Sequence, residues 1–317
     1  MSAGASPSGR EAYRDLLVEL MAADERLVCV DSDTGLFSGV DFGPAADRYL
    51  NLGIAEQNMM GVAAGLARSG RVPVVNTMAT FAATRALESV KVDIALTGLP
   101  VRIAATHGGL SAGHLGPTHH SLEDVAVMRA LPNMTVVVPA DAGQARALFA
   151  AAVDVDGPVY LRLGRGPTPD LPDTAPAVRL GRAQVLRRPP GATALFVACG
   201  PFPVLAVLEA ADVLAADGVG VTVLNLHTVK PLDVDALVAA AIGARVVVTA
   251  EEHWGPGGLG SAVAEALAEH APVRVLRLTA ADEFFPVAGS QRWLLARAGV
   301  DSARIVAAAR RGLSGSR

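Results

Sequence analysis

Short β-branched apolar runs alternate with stretches of helical periodicity along almost the whole chain. In the first half the runs are Leu27–Asp31, Val72–Asn76, Val101–Thr106, Met134–Val138 and Val159–Leu163. Helical patterns near residues 10–22, 54–68, 80–97, 121–131 and 141–152 separate them. Such alternation builds βαβ units, and so a parallel sheet covered by helices on both faces. Pro167–Pro176 breaks the rhythm, and its prolines and scarcity of apolar side chains predict a linker outside any core. Beyond it the pattern resumes with Ala183–Leu186, Ala194–Ala198, Val221–Leu224, Val246–Thr249 and Val273–Leu278. Helical stretches near 203–216, 233–242 and 258–269 lie between these runs. The expected fold is α/β: two domains, residues 1–167 and 181–317, each with a mainly parallel sheet flanked by helices, and a linker over 168–180.

Composition sharpens this. Of 317 residues, 51% are hydrophobic but only 4% aromatic, so Val, Ala, Leu and Ile must build the core, as in buried parallel sheets. A net charge of -4 argues against nucleic acid or an anionic membrane as partner. Cys29 and Cys199 sit in apolar runs, without the spacing of a disulfide framework or a metal site, and read as buried free thiols. The small, polar start Met1–Gly9 is not the pattern of a signal peptide. No apolar run reaches the roughly 18 residues of a membrane helix. A soluble protein of the reducing cytoplasm is expected.

In parallel sheets of this kind ligands bind beyond the carboxyl ends of the strands. Asp31 and Asp33, Asn76–Phe81, His107–His120, Asp141 and Arg165 all fall at such ends, and all belong to the first half, where the site is expected. In Asn51–Met60 a helical pattern starts after Gly53, with Ile54, Met59, Val62, Ala63 and Leu66 on one face. The opposite face is small (Gly61, Ala64, Gly65, Ala67) and predicts close neighbours, hence burial of Glu56 in the first turn. Alternatively, Glu56 only complements the helix dipole. The glycine-rich segment Thr106–His120 carries four histidines. Their spacing matches no usual ligand pair for a metal, whereas neutral donors beside glycines suit a phosphorylated or hydroxylated ligand. Gly255-x-Gly257-x-x-Gly260, with Asp282 about twenty residues on, competes as a dinucleotide fingerprint, though His253-Trp254 lengthen its turn.

Gly53-Ile-Ala-Glu-Gln-Asn58 and Gly116-Pro-Thr-His119 together resemble motifs of transketolases and related thiamine-diphosphate enzymes, and the similarity continues over about residues 10–310. The resemblance implies that Glu56 hydrogen-bonds the aminopyrimidine ring of the cofactor. It implies that Phe81 stacks on that ring, with Ile54 and Asp33 also at the cofactor. It places His107 and His119 in the substrate channel, His114 and Leu115 beside them, and Arg165, with Arg10 as a second candidate, on a substrate phosphate. Apart from the resemblance, Phe81 reads as core and Arg10 as a solvated charge. Thr84 and Leu87 stand where the family often places further aromatics. By the same likeness, the glycines of 255–260 serve packing and subunit contact.

The Gly-Asp-Gly that holds magnesium and diphosphate in this family occurs nowhere in the sequence. The resemblance therefore implies the C-terminal subunit of a split transketolase, with the diphosphate and Mg2+ held by an N-terminal subunit, and an α2β2 heterotetramer. Its reaction would move a two-carbon ketol unit from a ketose phosphate to an aldose-type acceptor. Alternatives are a 1-deoxyxylulose-5-phosphate synthase-like subunit, a 2-oxo-acid dehydrogenase β subunit, or a non-catalytic stabilising partner. The clearest departure is Leu115, where transketolases have an Asp that bonds a sugar hydroxyl; it points to an unusual acceptor.

Overall fold

The computed structural model describes residues 7–172 and 175–314. Residues 173–174 of the expected linker, and most of the N-terminal stretch read above, lie outside them.

The first half supplies β1 (Leu27–Asp31), β2 (Tyr49–Asn51), β3 (Val72–Met78), β4 (Arg102–Thr106), β5 (Thr135–Val137) and β6 (Val159–Arg162). The second supplies β7 (Gln184–Arg187), β8 (Ala194–Ala198), β9 (Val221–Asn225), β10 (Thr228–Lys230), β11 (Val246–Trp254) and β12 (Val275–Ala280). A seven-stranded sheet runs in the order β10-β5-β6-β4-β3-β1-β2 and a five-stranded one in the order β12-β11-β8-β9-β7. Every pairing is parallel except β10 with β5 and β7 with β9. The fold class expected from the alternation is the one observed.

The halves interlock more than a pair of domains on a linker would. β10 comes from the second half yet closes the first sheet, where Thr228 pairs with Val137. Lys230 Nζ donates to the carbonyls of Arg129 and Leu131 at 2.9 and 2.5 Å. One hydrophobic cluster runs from Val30 and Met60 through to Leu195, Leu224 and Val263. The linker itself is partly core: Leu171 is buried against the second sheet, and its N–H donates to Asp141. Polarity of a segment as a whole did not reveal that one leucine would be drawn in.

Three expectations about helices need correction. The stretch 80–97 is not one helix but Ala79–Ala83, Leu87–Ser89 and a π-helical turn Val90–Ala95. The helix after Gly53 starts at Glu56, buries Met59, Met60, Ala63, Ala64 and Ala67, and leaves Ile54 outside it and exposed. Gly61 and Gly65 have nothing within 4 Å of the space a side chain would fill, so no close neighbour within this chain explains them. Helices Gln291–Ala298 and Ser302–Ser314 and strands β2 and β10 were not among the expected elements: the strands are only three residues each, whereas helix Ser302–Ser314 buries Ile305, Val306, Ala308 and Ala309 on one face, a periodicity the sequence carries. Among the described helices, none is long and apolar enough to cross a membrane.

Between the two sheets Arg162, at the end of β6, is buried. Its Nε donates to Asp124 at 2.9 Å, and its Nη2 donates to the carbonyls of Ser121 and Glu252, each at 2.9 Å. Tyr160 Oη donates to the same Asp124 oxygen at 2.7 Å. Removing one member of a buried ion pair leaves the other uncompensated, at about 3–5 kcal/mol. We expect Asp124→Ala to destabilise the chain by that amount, measured by urea denaturation. A loss below about 1 kcal/mol, the ordinary value of a surface pair, contradicts this account.

Candidate active site

The site is assembled at the carboxyl ends of β1, β3, β4 and β6. Glu56 opens the helix Glu56–Arg68 with its side chain only 2% exposed. Its carboxylate accepts from Arg85 Nη1 at 2.6 Å. The same guanidinium lies over the Phe81 ring, 4.5 Å from its centroid, so it covers both groups at once. Phe81 in turn meets His119 edge to face at 5.4 Å. One continuous contact path therefore runs Glu56–Arg85–Phe81–His119. Arg85 was not singled out in the sequence; a cation four residues after a candidate ring on a helical pattern was the available signal.

At the end of β4, His107 has a φ of 59°, a left-handed conformation that costs a non-glycine residue and persists where surrounding structure imposes it. The Thr106 hydroxyl gives its proton to Thr77 O at 3.2 Å and so accepts from Nδ1–H of His107 at 2.9 Å. Nε2 is left as a bare acceptor. Burial, and next the charge of Arg10 and of Arg165, lower the His107 pKa to about 3, so this ring is neutral at physiological pH. His114 is lowered too, by desolvation first and then by Arg165.

Arg10 sits in the first turn of helix Gly9–Ala23, fixed there by a capping box between Ser8 and Glu11. A cation at that end opposes the helix dipole. Its Nε is buried without a partner, and desolvation and then Arg165 lower its pKa. Neither Arg10 nor Arg165 makes an ion pair with a described residue. Two unpaired, mutually repelling guanidiniums beside a neutral histidine form a place for an anion.

Asp33 also has a positive φ, 59°, and is exposed, accepting from Asn51 Nδ2 at 3.3 Å. Asp31 is buried and bound by Asn76, Tyr49 and Thr34. Asp141 proves structural: it caps helix Ala142–Ala152 through Gln144 N–H. Leu115 is partly exposed on the loop beside His114.

Three glycines of the histidine loop admit close neighbours from elsewhere in the chain: Gly109 and Gly113 from the second half, and Gly108 from Arg162 on β6, while Gly116 stands open. A Cβ on Gly109 would stand 2.5 Å from Glu252 Cδ, one on Gly108 2.6 Å from Arg162 Cγ, and one on Gly113 would collide with the Gly289 carbonyl. Glu252, on β11, accepts from Leu110 N–H at 2.6 Å and from Gln291 Nε2 at 3.0 and 2.9 Å. Gly289 N–H bonds Gly113 O at 3.0 Å. The loop is thus bolted to the second half. Among the described residues no cluster of His, Cys, Asp or Glu could hold a metal ion.

The competing glycine fingerprint is filled from within. Both oxygens of Glu251 accept backbone N–H groups at the start of helix Leu259–His270, from Leu259 and Gly260, each at 2.7 Å. A dinucleotide phosphate would need those same donors.

Residues 5–170 match the family described as transketolase, pyrimidine binding domain, and residues 181–305 match transketolase, C-terminal domain. The chain belongs to the transketolase family. It is 40% identical over 302 residues, 95% of its own length and 92% of the relative's, to a 6-deoxy-6-sulfo-D-fructose transketolase subunit of Clostridium sp. (strain MSTE9). It is 39% identical, over 84% of its length and 86% of the relative's, to one subunit of an apulose-4-phosphate transketolase of Phocaeicola vulgatus. Among solved structures it is similar to a split gene transketolase described as an inactive beta4 tetramer. There the TM-score is 0.87 at 41% identity, covering 98% of this chain and all of the other. In this transketolase-family chain, Arg85, Glu252 and Gln291 are the residues that sequence reasoning missed at the site.

Burial raises the Glu252 carboxyl from an ordinary 4.5 to about 7, against the opposing charge of Arg162. A raised carboxyl pKa keeps a proton in the fold that the unfolded chain has released. Its stabilisation is therefore complete below about pH 4.5 and is lost as pH rises to about 7. Glu252→Gln has no such proton. We expect the variant to gain stability relative to wild type across that window and no further above it. A difference that stays flat with pH contradicts the assignment.

Proposed function

We propose that this chain is one subunit of a thiamine-diphosphate-dependent transketolase, moving a two-carbon ketol unit from a ketose phosphate to an aldose-type acceptor. Glu56 carries the reading: a buried carboxylate at a helix start, joined through one arginine to an aromatic face and, beyond it, to His119 of the histidine loop. An aminopyrimidine requires a ring to stack on and an acid at its nitrogen, and Phe81 and Glu56 fit both. Asn76 Oδ1, buried without a partner at the neighbouring strand end, is a further acceptor. When bound, thiamine diphosphate supplies the carbon nucleophile and the electron sink.

The rest is done by the chain's own groups. Glu56 would hold a proton at the pyrimidine nitrogen, and Phe81, Ile54 and Asp33 would line the place of the ring. Arg85 has to leave the Phe81 face for a ring to stack there. His107, neutral with Nε2 free to accept, and His119 bond the substrate's hydroxyls. Arg165 and Arg10 hold its phosphate, and His114 and Leu115 border its path.

Mg2+ and the diphosphate fall to an N-terminal subunit carrying Gly-Asp-Gly, in a cytoplasmic α2β2 heterotetramer. Ile54 and Leu96, each 75% exposed, and the open glycines 61 and 65 form the apolar strip beside Glu56 that such a subunit would cover. Residues 1–167 form the pyrimidine-binding part, 181–317 the C-terminal domain, and 168–180 the connection.

Glu56→Gln keeps size but loses the shared proton. In the complex reconstituted with the N-terminal subunit, deuterium exchange at the cofactor C2 should slow by about 10²–10⁴-fold. The melting temperature should be unchanged. Exchange at the wild-type rate, or robust turnover by this chain alone, contradicts the proposal.

Leu115 cannot accept a hydrogen bond, and a hydroxyl facing it unpaired loses about 1–3 kcal/mol, roughly ten- to a hundredfold in rate. We expect wild type to favour acceptors that lack the 2-hydroxyl or carry another group there, and Leu115→Asp to shift the preference toward ordinary 2-hydroxyaldose phosphates. Unchanged acceptor ratios in the variant rule this out.

A further inference from the structure

A cavity of about 370 Å³ lies where the histidine loop meets the second half of the chain. One wall holds His114 and Arg165; the other is Phe202 and the segment Gly289–Arg292. No Asp or Glu lines it, in a protein whose acidic residues outnumber its basic ones, 31 to 27. Neither Arg165 nor Arg292 has an ion-pair partner among the described residues. On its own wall Arg292 lies over Phe202, with its Cζ 5.2 Å from the ring centroid. Its backbone is anchored in turn: Gln291 is tied to the buried Glu252, and Gly289 to Gly113. The first-turn N–H groups of helix Gln291–Ala298 add partial positive charge to the same wall, although the arginines dominate it.

We propose that this cavity binds the terminal tetrahedral oxyanion of the sugar substrate between Arg165 and Arg292, which makes the second half of the chain part of the substrate site. The proposal rests on the transketolase reading above, and it adds to that reading a specificity residue, Arg292, from the domain that holds none of the cofactor contacts. Phosphate and sulfonate share the required chemistry: three oxygens around a tetrahedral centre, which two guanidiniums grip with paired N–H donors. A neutral hydroxymethyl end would leave both arginines without a counter-charge.

The test uses the holoenzyme with its N-terminal subunit and three donors: a ketose phosphate, its terminal sulfonate analogue and the same ketose with a plain hydroxyl. Arg292→Ala is expected to raise KM about tenfold for the anionic donor that wild type uses, with kcat preserved. It should leave the neutral ketose unaffected, which also verifies that the variant folds. Arg292→Lys should restore part of the loss. Whichever of phosphate and sulfonate suffers the loss is the terminal group the site was built for. Isothermal titration with inorganic phosphate and with sulfate should show the same weakening without turnover. If Arg165→Ala raises KM for the anionic donors and Arg292→Ala leaves them at the wild-type value, the first half alone holds the anion. The proposal then fails while the functional reading stands. If the wild-type holoenzyme uses no ketose donor at all, the functional reading fails and the proposal goes with it.

Discussion

The buried guanidinium of Arg162 is the interaction on which the rest depends. It lies between the sheets and reaches a carboxylate, a loop carbonyl and a strand carbonyl of the second half. A charge so far from water survives only when it is paired and hydrogen-bonded. Meeting that demand fixes the start of helix Asp124–Ala130, the end of the histidine loop and the position of β11 relative to β6. The antiparallel addition of β10 to the first sheet works in the same direction, since the two halves cannot slide without breaking its ladder.

Two adjacent glutamates on β11 show how one strand serves both its own domain and its neighbour. Successive side chains of a strand point to opposite faces. Glu251 turns to the start of helix Leu259–His270 and uses both oxygens on its amides. Glu252 turns to the histidine loop and to Gln291. The glycines beside them, at 109 and 258, are small because a carboxylate occupies the space a side chain would need. A glycine-rich stretch that reads as a ligand cradle can thus be a socket for the protein's own acid.

Departures from ordinary local preference cluster at the strand ends. Asp33 and His107 hold positive φ values, and Arg10 sits at the wrong end of its helix for its charge. Arg85 is shared between a carboxylate and a ring, while Asn76 keeps a buried acceptor unused. A sequence optimised for stability alone would remove each of these; their concentration in one place is the physical mark of a site. Exposed Ile54, Val92 and Leu96 are the complementary sign: apolar area left for something else to cover.

The sequence by itself determined what depends on local pattern. Apolar runs long enough to be buried on both faces, such as Leu27–Asp31 and Ala194–Ala198, coincide with β1 and β8 to the residue, because burial leaves such runs no alternative. The two-part α/β organisation and the family were legible too, the latter through Gly53–Asn58 and Gly116–His119. Tertiary structure decided what depends on partners distant in the chain. That Arg85 would pair with Glu56, 29 positions away, that β10 would join the other sheet, and that Glu252 and Arg292 would face a loop more than a hundred residues earlier are all consequences of packing. A single charged residue on an amphipathic stretch carries no record of which remote surface it will meet, and that is why those members of the site were invisible until the halves came together.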